Sequence, residues 1–134
     1  MEARITAGKY GFSKTVDCTY EQAIERIKAS LKEEGFGVLA EIDVRNAMKE
    51  KLGIDFPKYV ILGACNPHLA HQALEAEPDI GLLLPCNVVV RERQGVTEVA
   101  TIDAEQMMSL VGNENLAPIA KEANERLRRA LEAV

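Results

Sequence analysis

The feature that most constrains the fold is an unbroken apolar run followed at once by a helix-start signal. Residues 58–64 read KYVILGA, and a continuous apolar run of this length is typical of a strand buried on both faces. Asn66 then predicts a helix N-cap, and Pro67 fits the first helical position, where no backbone N–H is needed. The chain is therefore expected to pass from an inner strand directly into a helix, with Cys65 at the junction.

Caps and helical spacing indicate two helices before this strand. Thr19 and Gln22 have capping-box spacing, and they precede an apolar helical stripe that Gly35 ends. Asp43 predicts the cap of a short helix that ends at Gly53. The short helix is expected to turn four apolar residues inward, namely Val44, Ala47, Met48 and Leu52.

The remaining elements complete an α+β pattern. Alternation predicts strands at 9–16 and 36–42, and Gln94–Gly95 predicts a hairpin between strands at 88–93 and 96–102. A short helix near 104–111 and a long C-terminal helix from about 116 follow. The long helix carries one apolar stripe: Leu116, Ile119, Ala120, Ala123, Leu127, Ala130, Leu131 and Val134. We expect a single domain over 1–134, with about five mainly antiparallel strands in one sheet and helices packed on it.

Composition and charge exclude several functional classes. The chain has 134 residues and a net charge of −5, which argues against a general nucleic-acid binder because such proteins need a basic face. No apolar window approaches the roughly 18 residues that span a bilayer, and the N-terminal MEARITAGKYGF lacks the apolar run of a signal peptide. A cytoplasmic protein without nucleic-acid or membrane partners is expected, with Cys18, Cys65 and Cys86 as free thiols. Glycine-rich phosphate loops, zinc-protease spacing and a serine-hydrolase elbow are all missing from the sequence.

Cys65 is the first candidate functional residue. It lies just before a predicted helix N-terminus, where unpaired N–H groups and the helix dipole lower the pKa of a thiol. That position suits a reactive thiolate or a sulfur ligand for a metal. The alternative is that Cys65 is a small buried residue that fills the end of a strand, since free cysteines are among the most buried residues.

A second Cys-Asn pair, Cys86–Asn87, begins the strand after Pro85. If this strand is the antiparallel neighbour of the strand that ends at Cys65, both cysteines lie at the same edge of the sheet. The alternative is that each Asn only satisfies local backbone groups, as Asn does at caps and turns. On the first interpretation, five residues form a ligand-binding site: Cys65, Asn66, His68, Cys86 and Asn87.

Two histidines extend this site toward a metal. His68 and His71 are three residues apart, so they are neighbours on one face of the predicted helix. The inner stripe of that helix is expected to be Leu69, Ala70, Ala73 and Leu74. Thiolate and imidazole ligands from Cys65, His68, His71 and Cys86 would suit zinc or cuprous copper. The alternative is that both histidines belong to a solvated polar face.

Three segments together resemble a known family. They are GFGVLAEIDV, YVILGACNP with His68 and Ala70 after it, and GLLLPCNVVV. In their order, and over nearly the whole chain, they look like the domain-of-unknown-function 302 family. The resemblance implies an α+β fold of the TATA-binding-protein-like shape, a long C-terminal helix and a homodimer. It implies no activity, because a fold does not carry its function with it.

Three functional interpretations remain open at the level of the sequence. The first is a homodimeric module that binds a small ligand or a soft metal at the Cys65/Cys86 edge. The second is a structural or regulatory domain with inert thiols. The third is a thiol-dependent enzyme in which Cys65 is the nucleophile, His68 or a histidine of a partner subunit is the base, and Cys86 is a supporting thiol.

Overall fold

The computed structural model describes residues 4–134, which form six strands, five α-helices and two short 3-10 turns. The strands are β1 (Thr6–Ala7), β2 (Gly11–Val16), β3 (Gly37–Asp43), β4 (Tyr59–Cys65), β5 (Cys86–Arg93) and β6 (Val96–Ile102). The helices are α1 (Tyr20–Glu33), α2 (Val44–Leu52), α3 (Pro67–Ala76), α4 (Ala104–Ser109) and α5 (Ala117–Glu132). The 3-10 turns lie at Pro78–Leu83 and Glu114–Leu116.

One antiparallel sheet contains all six strands, in the order β1-β2-β6-β5-β4-β3. The predicted α+β class, the antiparallel sheet and the long C-terminal helix are confirmed. The expected number of about five strands is one too small, because β1 has only two residues and leaves no alternation to detect. The likeness to the TATA-binding protein stays a prediction.

The local start and stop signals act as the sequence predicts. Thr19 and Gln22 form a reciprocal capping box at the start of α1. Asp43 accepts a hydrogen bond from the backbone of Asn46, and α2 ends at Gly53 with a φ of 67°. The β5–β6 hairpin turns through Gln94–Gly95. Both residues have positive φ angles, as a two-residue type I′ turn requires.

The core divides into two clusters that α5 joins. In the first, α1 and the C-terminal half of α5 cover one face of the sheet and bury alternate residues of β2, β4, β5 and β6. The second lies among α3, α4 and the N-terminal half of α5. The predicted stripe of α5 therefore serves both clusters, with seven residues buried and Val134 partly buried: Leu116, Ile119, Ala120, Ala123, Leu127, Ala130 and Leu131.

Three burial predictions are wrong, each because a face expected to be covered is open. In β4 only alternate residues reach the helix-covered face, so Tyr59 and Ile61 are partly exposed. No residue of α2 is fully buried: Val44, Ala47 and Met48 are half-buried, and Leu52 is 66% exposed. Leu74 of α3 is 42% exposed, beyond the edge of the second cluster. Among the described residues, no helix combines the length and the apolarity that a membrane crossing needs.

Candidate functional site

The two Cys-Asn pairs meet at one end of the β4–β5 ladder. Ala64 pairs with Cys86, and Gly63 pairs with Asn87, in antiparallel register. Cys65 is the next residue after Ala64, so it lies diagonally across from Cys86. The conditional prediction that the two cysteines share one edge of the sheet is therefore confirmed.

A cavity of about 30 Å³ lies at this edge, between the two core clusters. The end of β4, the start of α3, the start of β5 and the buried stripe of α5 enclose it. Its wall is almost entirely apolar and includes Phe36, Ala64, Cys65, Asn66, Leu69, Ala70, Ala73, Leu84, Pro85, Cys86, Met108, Ile119 and Ala123. A volume of this size accommodates only one or two water molecules, since a cavity of about 150 Å³ is needed for benzene.

Asn66 is held by backbone groups on two elements. Its side-chain Oδ1 accepts a hydrogen bond from the Leu69 N–H at 3.2 Å, which caps α3. Its Nδ2 lies 3.5 Å from the Glu34 carbonyl oxygen at the end of α1, and that oxygen also accepts a shorter bond from Arg126. Asn66 is 7% exposed. Its polar atoms are thus engaged in joining α1 to α3, and its role is that of a positioning residue at the wall of the cavity.

The thiols are held in their protonated form. Burial raises the pKa of Cys65, and burial together with the nearby Cys65 raises the pKa of Cys86 to about 11. The expectation that the N-terminus of α3 would lower the pKa of Cys65 is therefore wrong. The cause of the rise is burial, because the loss of water around the thiol disfavours its charged form.

The histidines lie outside this cavity. Both His68 and His71 are exposed on α3, and His71 is 3.3 Å from Glu75 of the same helix. Within residues 4–134 no group of three or more His, Cys, Asp or Glu side chains is arranged to hold a metal ion. The proposed ligands Cys65, His68, His71 and Cys86 are thus not gathered into one such group.

Asn87 differs from Asn66 although both follow a cysteine. Asn87 is exposed on β5 and does not line the cavity. Nothing in the sequence indicated that Phe36, which precedes β3, Leu84 or Met108 in α4 would line this cavity. Met108 was included only within a short predicted helix, and nothing in its local pattern shows that α4 folds back toward the Cys65 edge.

Comparisons with known proteins agree with this architecture. The sequence model of a family described as "Domain of unknown function DUF302" matches residues 12–134. A solved structure of an uncharacterized conserved DUF302 protein from Bacillus stearothermophilus is 32% identical, with a TM-score of 0.88, over 95% of this chain and 100% of that one. No curated protein matches the sequence. The matched length and the shared fold together show that this chain belongs to the DUF302 family.

Proposed function

We propose that this protein is a binding module for a small, mainly apolar ligand at the Cys65/Cys86 edge, where the ligand contacts the wall of the cavity. The observation that carries the proposal is the placement of this cavity. It lies where a strand end, a helix start and the long C-terminal helix converge, and both cysteines form part of its wall. Pockets with largely apolar walls and a few polar groups are the usual sites for small molecules.

The state of the thiols favours this function over catalysis. A protonated thiol behaves as a small apolar group, whereas nucleophilic catalysis needs a thiolate. The raised pKa values of Cys65 and Cys86 leave few thiolates near neutral pH. His68, which a thiol-dependent mechanism would use as a base, is exposed on α3 and does not line the cavity. An enzyme with Cys65 as nucleophile is therefore the weakest of the three functional interpretations.

Native mass spectrometry of freshly purified, untagged protein, with elemental analysis of the same sample, tests the proposal. A co-purified small molecule that is lost from Cys65→Ser, but retained by Cys18→Ser, supports it. Cys18 is a suitable control because it is also partly buried but does not line this cavity. Stoichiometric zinc or copper bound through the same cysteines would favour the soft-metal version instead. Retention of the ligand by Cys65→Ser at wild-type level contradicts the proposal.

A structural domain with inert thiols is the second candidate, and one observation favours it. Cys86 is 6% exposed and belongs to the main core cluster, so packing alone accounts for its presence. On this interpretation Cys65→Ser lowers the free energy of unfolding, because a hydroxyl replaces a partly buried thiol, and no bound molecule is lost.

The module is also proposed to act as a homodimer that forms through the open face of the sheet. Helices α1 and α5 cover one face, and the other carries a row of paired residues across the four strands from β3 to β6. In register from β3 to β6, these are Ile42, Ile61, Val89 and Ala100. Ile42 is 52% exposed, and the others are partly exposed.

The dimensions and charges of this face suit a second copy of the chain. The spacing between strands and the rise per residue give this face a flat area of roughly 600 Å². Because its side chains project from the sheet, its accessible area is larger and approaches the roughly 800 Å² that each partner buries in a stable dimer. Beside the apolar row, Arg91 and Glu98 lie 2.8 Å apart. A two-fold axis that passes between the two residues would set Arg91 of each copy near Glu98 of the other, because in a two-fold interface residue i contacts j and j contacts i.

Sedimentation analysis tests the dimer. Val89→Lys places a charge in the middle of the apolar row and is expected to give a monomer. Leu82→Lys is the matched control, because Leu82 is 87% exposed and lies outside the sheet. A dimer of undiminished affinity in Val89→Lys would show that the copies associate through another surface.

A further inference from the structure

A second hollow lies beside the first and shares one wall residue with it. This groove of about 280 Å³ lies between α4 and the start of α5. Its lining comprises Glu105, Met108, Ser109, Gly112, Asn113, Glu114, Leu116, Ala117 and Ala120. Met108 is the residue common to the groove and the cavity at Cys65. Met108 is 5% exposed, and its place in both linings puts it between the two hollows.

Helix α5 lines both hollows. Ala117 and Ala120 line the groove, while Ile119 and Ala123 line the cavity. These residues lie within two turns of one helix, so the two hollows adjoin along it. The alanines leave space that larger side chains would fill.

We infer that Met108 is a movable partition between the two hollows, and that the ligand is an unbranched aliphatic molecule with an uncharged or cationic head group. The inference rests on the proposed function, and it specifies the ligand and its route. The aliphatic tail passes Met108 into the cavity beside Cys65, while the head group stays at the mouth of the groove. Methionine suits this role because it has three rotatable side-chain bonds and no branch.

Volume supports the joined arrangement. The cavity at Cys65 has about 30 Å³ and admits no organic molecule by itself. The groove has about 280 Å³. Joined, they reach the lower end of the range for small-molecule pockets, about 300 Å³. An elongated shape follows because the two hollows adjoin and share a single wall residue, Met108.

Charge at the mouth of the groove selects the head group. Two carboxylates, Glu105 and Glu114, line the groove, and none of its lining residues is a lysine, an arginine or a histidine. The N-terminus of α5 adds about half a positive charge there, which is less than the two negative charges. An anionic head group is therefore disfavoured, and an alcohol or an amine is favoured over a carboxylate with the same tail.

The test uses 1-hexanol, hexylamine and hexanoate as probes of equal tail length. The two readouts are methyl chemical shifts of Ala73 and Ala123, and the rate of iodoacetamide alkylation at Cys65 followed by peptide mass. Hexanol and hexylamine are expected to protect Cys65 and to shift both alanines in a saturable way. Hexanoate is expected to bind about tenfold more weakly or worse.

Variants of exposed alanines at the two ends of α5 test the route. Ala117→Trp fills the mouth of the groove from the surface and is expected to weaken hexanol binding at least about tenfold. Ala133→Trp, at the other end of the helix, is expected to leave binding unchanged. Met108→Ala removes the partition and is expected to tighten binding, and the Ala117→Trp comparison stands even if this core variant unfolds.

The outcomes separate this inference from the proposed function. Equal protection of Cys65 by hexanol in the wild type and in Ala117→Trp overturns the route past Met108 but leaves the Cys65 cavity as a binding site. Shifts confined to groove residues, without protection of Cys65, show that Met108 does not move aside and also overturn the inference. No shift and no protection with any probe overturn the inferred ligand class, while a co-purified molecule lost in Cys65→Ser would still sustain the proposed function.

Discussion

Replacement of Asn66 by alanine tests whether the two Cys-Asn pairs have different roles. Asn66→Ala removes the acceptor for the Leu69 N–H, a bond of 3.2 Å in a buried setting. Loss of an N-cap typically costs about 1 kcal/mol and up to about 2, and a buried N–H left without a partner costs about 1–3 kcal/mol. These figures describe the same event and are not added. The second contact adds little, because it is 3.5 Å long and Arg126 still donates to the Glu34 carbonyl oxygen.

We therefore expect Asn66→Ala to lower the free energy of unfolding by about 1.5–2 kcal/mol. With a urea dependence of about 2 kcal/mol per molar, the unfolding midpoint should fall by about 0.8–1 M. Two controls accompany it at fixed protein concentration, since a dimer would make the midpoint depend on concentration. Asn66→Asp keeps the acceptor, but it buries a charge and sets its second oxygen against the Glu34 carbonyl oxygen, so it should recover only part of the loss. Asn87→Ala changes an exposed side chain and should remain within about 0.5 kcal/mol of wild type.

The pattern across the three variants decides the argument. An Asn66→Ala midpoint equal to that of the wild type would refute the capping role, and Asn66 would then be free for a role toward a ligand. A loss in Asn87→Ala as large as that in Asn66→Ala would show that both Cys-Asn pairs serve the same purpose, contrary to their different surroundings.

Three further predictions concern packing, helix termination and pH. Gly63→Ala should lower the free energy of unfolding in urea by about 1–3 kcal/mol, because the new Cβ would lie 2.9 Å from Pro85 Cγ. Gly37→Ala is the control, because the space around its Cβ is open. Equal unfolding midpoints for the two variants would contradict the close packing at Gly63. Lys14→Met should lower the free energy of unfolding by about 1–2 kcal/mol and speed amide exchange in the last turn of α5. The reason is that Lys14 Nζ donates to the backbone oxygens of Glu132 at 3.0 Å and Val134 at 2.7 Å. Unchanged exchange in that turn would contradict this prediction. Because the pKa of Cys86 rises from 9.0 to about 11 on folding, its contribution is fully present below pH 9 and is lost between pH 9 and about 11. Urea midpoints should reveal a decrease of order 2–3 kcal/mol over that interval, and an equal decrease in Cys86→Ala would assign it to other groups.

The sequence predicts best what depends on neighbouring residues. The caps at Thr19, Asp43 and Asn66 involve residues three apart in the chain, so the pattern alone determines which backbone N–H each satisfies. The hairpin at Gln94–Gly95 is equally local. Even the shared edge of Cys65 and Cys86 follows once β4 and β5 are assumed to be antiparallel neighbours.

The sequence predicts poorly what depends on which faces are covered. Leu52 has the spacing of an inward residue, but no other part of residues 4–134 covers it, and 66% of that residue remains exposed. Met108 shows the opposite case. Its local pattern is ordinary, and it reaches the cavity beside Cys65 only because α4 packs back against α5. Apolar spacing identifies which face of a helix is apolar, but the number and placement of the other elements decide whether that face is buried.

The error at Cys65 has the same origin and bears on function. The dipole of α3 is a local property that the sequence reveals, whereas the loss of water at Cys65 comes from distant parts of the chain that the sequence does not place there. Among them are Phe36 and Leu84, which line the same cavity. Because burial prevails, Cys65 remains a thiol and contributes an apolar, polarisable surface to the wall. On the proposed function, a site of that character would recognise its ligand by shape and apolar contact. If the proposed function is right, the size of the space past Met108 then determines the class of molecule that fits this site.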